Sequence, residues 1–268
     1  MKKMLTALLL TVLVFTGSAL AQDGRPSDLL DVALEQRLDQ DLPLQLPFVD
    51  ENGRDVALGD YFGERPVMLA LVYYECPMLC TLVLNGVTTS LSLLEFNPGD
   101  EFEVVVVTID PEESPELAAA KKRNVLEEYG RPQTSAGWHF LTGSEASIQT
   151  LANAIGFRYV FDEESGEYAH AAGIMVATPA GKLARYFYGI DYPPRDVRFA
   201  LMEAAENRIG SLANQMLLFC YKYNPETGTY GAATFFLLRV GAGLTILGLV
   251  TGILLMRRRE RLLARSAA

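Results

Sequence analysis

Histidine is scarce in this chain, with two in 268 residues, and there are only three cysteines. A site built on imidazoles alone is therefore excluded, and one thiol must stay outside any internal disulfide. Excess basic charge is missing too. The formal net charge is −10, and both ends carry a cluster of cations, Lys2 and Lys3 at the start and Arg257-Arg258-Arg259 near the finish. The body between them is more acidic than the total suggests. Such a body repels a phosphate backbone, which excludes nucleic acid as a partner. It is compatible with a cationic partner or a metal ion, and equally with a surface that serves solubility alone. Half the residues are hydrophobic, enough for one well-buried domain with further segments attached.

Two of the three cysteines fall in one stretch, Tyr73-Tyr74-Glu75-Cys76-Pro77-Met78-Leu79-Cys80. The apolar run Pro66 to Val72 leads into it and predicts a buried strand. Leu79, Leu82, Val83, Val87, Leu91 and Leu94 follow at helical spacing. Pro77 suits a first helical position, because its missing N–H is not needed there. That places Cys76 near the N-cap and Cys80 one turn on, with both sulfurs on one side of the helix start. The positive end of the helix dipole favours thiolate there. Strand, cysteine pair and helix in this order resemble the layout of a thioredoxin-like site. The spacing is CxxxC, however, and the CxxC of the usual dithiol oxidoreductases is absent.

The rest of the chain predicts an α/β domain with one sheet and flanking helices. Phe48 to Leu58 carries Asn52-Gly53 at its centre and predicts a hairpin. Phe102 to Ile109 is a β-branched run expected of a buried strand. Ser114 and Pro115 open a helix that Gly130 stops. Trp138 to Leu141 predicts a short strand, and Ser144 caps a helix ending at Gly156. Arg158 to Phe161 is expected to be extended, and Asp162 to Glu167 to be an acidic loop. Ala172 to Thr178 and Leu183 to Tyr188 predict a hairpin, and Pro194 starts a last helix with Val197, Leu201 and Ala205 on one face.

Both ends carry targeting signals. Residues 1–21 have a charged start, an apolar centre from Leu5 to Phe15 and Ala19-Leu20-Ala21, which together predict a cleaved secretory signal. An exported body is one in which disulfides are permitted. Residues 22–41 are polar and acidic and are expected to be a loosely ordered linker. Residues 233–256 are expected to form a transmembrane helix, with Arg239 snorkelling near one interface. Gly241, Gly243, Gly248 and Gly252 would be costly in a soluble helix. Arg257-Arg258-Arg259 follows at once and predicts a cytoplasmic tail over 257–268. A juxtamembrane segment, 211–232, holds the odd cysteine, Cys220, a buried or interfacial thiol that could instead hand a metal to the main cysteine pair or pair between chains.

Two cysteines one helical turn apart can form a disulfide, bind a soft metal, or simply be buried. Two thiolates suit Cu(I), and an added imidazole suits Cu(II) as well. Of the two histidines, His139 sits beside Trp138 in a predicted strand and is assigned a structural role. His170 precedes the strand from Ala172, in the connection that a thioredoxin-like topology turns towards the cysteine helix. Ordinary oxidoreductases of that fold place a cis-proline there; this chain has Ala169-His170-Ala171. Met78 and Met175 are soft possible ligands but are assigned to the core.

Cys76-Pro77-Met78-Leu79-Cys80, Thr108-Ile109-Asp110-Pro111-Glu112, Phe140-Leu141-Thr142-Gly143 and His170, in this order, resemble the Sco/SenC family over roughly residues 42–207. The resemblance implies a thioredoxin-like single domain over 42–210 and copper, Cu(I) or Cu(II), held by Cys76, Cys80 and His170. Asp110 would lie behind these ligands, its plainer alternative being a helix-entry Asx turn. It also implies a role in delivering copper to, or maturing, the CuA centre of cytochrome c oxidase. The copper-bearing oxidase subunit would be the partner, with other periplasmic copper or thiol carriers beside it. The protein would then be a metal carrier rather than an enzyme, attached to the bacterial inner membrane by one C-terminal span with its body in the periplasm. The rival is a thiol–disulfide oxidoreductase that keeps the target's copper-ligand cysteines reduced. A peroxidase fits less well, because Thr81 after Cys80 does not reproduce the peroxiredoxin spacing.

Overall fold

A computed structural model describes residues 32–76, 79–163 and 165–209, and the short stretches 223–224, 229–230, 240–246, 248–253 and 256–257. The expected signal peptide, Pro77, Met78, Cys220 and most of the juxtamembrane segment and tail lie outside the described residues. The chain divides into two compact units, Met1–Asn207 and Arg208–Ala268.

The first unit runs β1 (Ala33–Leu34), β2 (Pro47–Val49), β3 (Asp55–Ala57), β4 (Val67–Val72), α1 (Leu79–Ser92), β5 (Glu103–Thr108), α2 (Pro115–Tyr129), β6 (Trp138–Leu141), α3 (Glu145–Ile155), β7 (Phe157–Asp162), β8 (Glu167–His170), β9 (Gly173–Ala177), β10 (Leu183–Tyr188) and α4 (Pro194–Ala205). Five strands form the main sheet in the order β10-β9-β4-β5-β6. β4, β5 and β6 are parallel, and β9 joins β4 antiparallel with Ala70 opposite Ile174. Every residue of β4, β5 and β9 is buried. That is why these strands are uninterrupted apolar runs rather than alternating ones. The expected α/β, thioredoxin-like architecture is present, as are the hairpins over β2–β3 and β9–β10.

Local chemistry sets the helix limits. Ser114 accepts the Leu117 amide at the start of α2, Pro115 is its first residue, and Gly130 ends it in the left-handed region. α3 repeats the pattern with Ser144 and Gly156. In α1 the buried stripe is Cys80, Val83, Leu84, Val87 and Leu91, which corrects the expected face. Leu82 is exposed, because it lies two positions from Cys80 and two from Leu84 and so points off the stripe. Cys80 itself belongs to the core.

One further expectation is corrected. The segment 32–41 is not loose. Ala33 and Leu34 pair with Arg158 and Phe157, the Glu35 amide donates to the Gly156 carbonyl, and Leu34 and Leu38 pack on the core. Two leucines and a strand edge outweigh the polar composition around them. The expected acidic loop connects β7 to β8, with its end residues Asp162 and Glu167 paired with each other.

In the second unit Tyr223–Asn224 pairs antiparallel with Thr229–Tyr230. Within 233–256, residues 240–246 and 248–253 are helical. Among the described residues no helix is long and apolar enough to cross a membrane.

Candidate metal centre

Three connections meet at one end of the sheet. β4 and β5 are parallel neighbours with Val72 opposite Thr108, so the Tyr73–Cys76 turn and the Ile109–Ser114 loop leave the sheet side by side. β9 runs the other way beside β4 and starts at the same end, which brings the β8–β9 connection, with His170, over the cysteine turn. Crevices beyond the carboxyl ends of parallel strands are the usual ligand positions of α/β folds.

Cys76 and Cys80 are both free thiols and both buried. Cys80 Sγ lies 2.9 Å from His170 Nε2. Its thiol also accepts the Tyr73 amide at 3.4 Å. Cys76 Sγ accepts the Cys80 amide at 3.4 Å, capping one of the unpaired N–H groups of the helix start. The Cys76 thiol lies near the Tyr73 hydroxyl and the Cys80 thiol, and adds to the upward pKa shift that burial gives each of them. His170 Nδ1 donates to the Ala171 carbonyl at 2.9 Å. Nδ1 therefore carries the proton, and the Nε2 lone pair faces Cys80. Burial lowers the His170 pKa and keeps the ring neutral. Tyr73, edge-on at 6.1 Å, and Phe157, tilted at 5.9 Å, wall the ring in.

The expectation that the helix start favours thiolate fails at Cys80. Burial pushes its pKa well above the usual thiol range, against the Tyr73 amide and the Lys121 charge, which pull it down. Desolvation of a buried anion exceeds what one amide and one distant cation return. Among the described residues, no three His, Cys, Asp or Glu side chains form a ready metal-binding group. The structure brings Cys80 and His170 into contact and leaves Cys76 beside them, turned to the helix amide and the Tyr73 hydroxyl.

Asp110 makes the helix-entry Asx turn: its Oδ1 accepts the Glu112 amide at 2.9 Å. Its negative charge reaches Tyr159 and Tyr168, whose pKa values are raised first by burial and then by neighbouring charges including Asp110. His139 is structural, with Nε2 3.0 Å from Glu103 and its ring against Tyr61. Met175 is buried in β9.

The sequence reading missed Tyr73, Glu113 and Lys121. Glu113, 9% exposed, accepts the Tyr74 amide at 2.6 Å and the Glu75 amide at 2.8 Å through Oε1, and bonds Thr108 Oγ1 through Oε2. Burial raises its pKa above the usual carboxylate value. Lys121 Nζ donates to the Tyr74 carbonyl at 3.1 Å and reaches Thr81 Oγ1 at 3.4 Å. In the sequence Glu113 is one of several acids near a helix start, where acids are ordinary. The loop's two amides make it special, and they become its partners only after folding.

The donor set is two soft thiols and one neutral imidazole nitrogen in a water-poor crevice, which fits a soft or borderline transition metal. A comparison with curated protein sequences gave no match. Solved structures share the fold. A protein of Aquifex aeolicus VF5 is 24% identical, over 64% of this chain and 96% of its own, with a TM-score of 0.56. A SCO1/SenC family lipoprotein from Bacillus anthracis str. Ames is 19% identical, over 65% and 99%, with a TM-score of 0.54. Arabidopsis thaliana ScoI, solved with copper bound, is 16% identical over 60% and 96%, at 0.49. The SCO1/SenC family model matches residues 35–205, from just after β1 through α4 and including every residue of the thiol–imidazole crevice, and on that match the chain belongs to the SCO1/SenC family.

Proposed function

We propose that this protein binds copper as cargo through Cys76, Cys80 and His170 and delivers it to, or helps mature, the CuA centre of cytochrome c oxidase. The observation that carries the reading is the neutral His170 Nε2 held 2.9 Å from Cys80 Sγ with the Cys76 thiol beside it. Family membership supplies the oxidase context. Two sulfurs would satisfy Cu(I), and the imidazole would extend the site to Cu(II). Copper binding needs thiolate, so metal uptake would expel the thiol protons that burial retains at Cys80. Asp110 would act from behind, through its field on the tyrosines beside His170. The body would lie in the periplasm, anchored by a span over 233–256; the exposed Val240, Leu244, Leu249 and Ile253 of its described residues support an apolar surround for it.

Copper titration of the reduced chain tests the site. His170→Ala is expected to abolish the tight Cu(II) site and weaken Cu(I) less, while the Cys76–Cys80 disulfide still forms. Unchanged Cu(II) affinity with an unchanged absorption spectrum would remove His170 from the site. A second reading, a thiol–disulfide reductase for the target's cysteines, is supported by the contact between the two free thiols. The reduced chain, offered copper and a disulfide-bonded target peptide in turn, separates the two. Copper bound per chain without peptide reduction favours the carrier, and peptide reduction without stable copper favours the reductase.

A further inference from the structure

Tyr73 to Cys76 is a tight turn closed by the Cys76 amide on the Tyr73 carbonyl at 3.4 Å. In such a turn the two central amides, Tyr74 and Glu75, have no partner of their own. Both donate to one oxygen of Glu113, at 2.6 and 2.8 Å, the Tyr74 amide buried and the Glu75 amide partly so. The far end of the Tyr74 residue is held by the opposite charge: its carbonyl accepts Lys121 Nζ at 3.1 Å. The Tyr74 ring is fixed as well, with its hydroxyl donating to the Leu141 carbonyl at 2.7 Å. Lys121 also reaches Thr81 Oγ1, which lies 3.5 Å from the Cys76 carbonyl. The turn before the first sulfur is thus gripped by an acid from the β5–α2 loop and a base from α2.

We propose that Glu113 and Lys121 are positioning residues of the thiol–imidazole site, setting the turn that keeps the Cys76 sulfur beside Cys80. A buried carboxylate is costly unless its hydrogen bonds are made. All three described side-chain bonds of Glu113 go to the cysteine turn and to Thr108 at the end of β5. A merely structural acid would stabilise the fold without setting the distance between two sulfurs; this one acts on the backbone two residues before Cys76. The inference deepens the copper reading where it concerns metal, but it concerns sulfur placement first.

The test is the equilibrium between the full-length chain and glutathione, with Cys220→Ser so that only Cys76 and Cys80 exchange. The two thiols give up two electrons and two protons to glutathione disulfide; one S–S bond forms between Cys76 and Cys80, and two glutathione thiols are released. The constant reports the effective concentration of one sulfur at the other. Glu113→Ala is expected to lower it about tenfold or more, as loosened geometry does in other intramolecular reactions. Glu113→Gln keeps an oxygen for both amides and should recover most of the loss. Lys121→Met should shift the constant the same way and Lys121→Arg should restore it. Glu51→Gln, at a separate buried pair in which Lys122 lies 2.6 Å from Glu51, should lower thermal stability and leave the constant alone. Wild-type constants in Glu113→Ala and Lys121→Met would overturn the inference, and so would an equal shift in Glu51→Gln. If Glu113→Ala does not fold, Lys121→Met decides. No copper is present, so a chain that fails to bind copper but shows these shifts refutes the copper reading and leaves the positioning role standing.

Discussion

Cys76 and Cys80 are chemically unequal although they are one helical turn apart. Cys80 is fully buried, sits on the core stripe of α1 and touches His170, and its thiol is held protonated by burial. Cys76 is at the edge, 7% exposed, receives a hydrogen bond from the Cys80 amide and has the Tyr73 hydroxyl near it. Donors aimed at sulfur favour thiolate, and thiolate is the nucleophile. Short iodoacetamide pulses on the reduced chain at mildly alkaline pH, read by peptide mass mapping, should therefore label Cys76 well before Cys80. Tyr73→Phe keeps the ring that packs on His170 and Tyr168 but removes the donor. It should slow Cys76 labelling several-fold and leave Cys80 unchanged. Equal rates at the two sulfurs, or no effect of Tyr73→Phe, would show that the asymmetry is not set by these contacts.

At the scale of the element, the strands and helices were legible where one local rule decided them. β4 announces itself as an unbroken apolar run and β5 as a β-branched one, and α2 and α3 by a serine cap, a stop glycine or both. Cys76, Cys80 and His170 stood out because so few cysteines and histidines are present. What was not legible depends on contacts between distant segments. Glu113 meets the Tyr74 and Glu75 amides across 39 and 38 residues of sequence, and β1 is a two-residue strand whose only signal is its partner. That partner suggests a measurement. Gly156 and Gly130 both end helices with φ near 70°, at 71° and 75°. A Cβ on Gly130 would meet nothing within 4 Å, whereas one on Gly156 would lie 2.2 Å from the Glu35 carbonyl oxygen. Gly130→Ala should cost only the left-handed strain, about 1 kcal/mol. Gly156→Ala should cost that and also displace the β1 segment, for a total of about 2–3 kcal/mol, with the Glu35 amide losing protection from hydrogen exchange. Equal losses at the two glycines would mean that the docking of β1 contributes nothing to the fold.

For the whole molecule, the proposed delivery of copper requires that the crevice and the oxidase partner occupy the same side of a membrane. The distribution of charge argues for which side. Lys2 and Lys3 precede an apolar run at the start, and Arg257-Arg258-Arg259 closes the second apolar run directly. Clustered cations flanking a span stay in the cytoplasm. A cleaved leader would send the acidic body outwards, and the span at 233–256 would then end inwards. If the leader were retained as an anchor, both ends would still lie inside and the body outside, so both cases predict the same address for the crevice. Reporter fusions separate this arrangement from its inverse. A reporter that folds only in the cytoplasm, fused after Ala268, should be active, and one that needs the periplasm should be silent there. The periplasmic reporter inserted after Asn207, where the first unit ends, should give the opposite result. Replacing Arg257, Arg258 and Arg259 together with Asn should lower the activity of the cytoplasmic reporter at the C-terminus, because in the proposed topology those charges hold the tail inside. Periplasmic activity after Ala268 in the unaltered chain would put the tail on the wrong side, and the single-span topology would have to be abandoned.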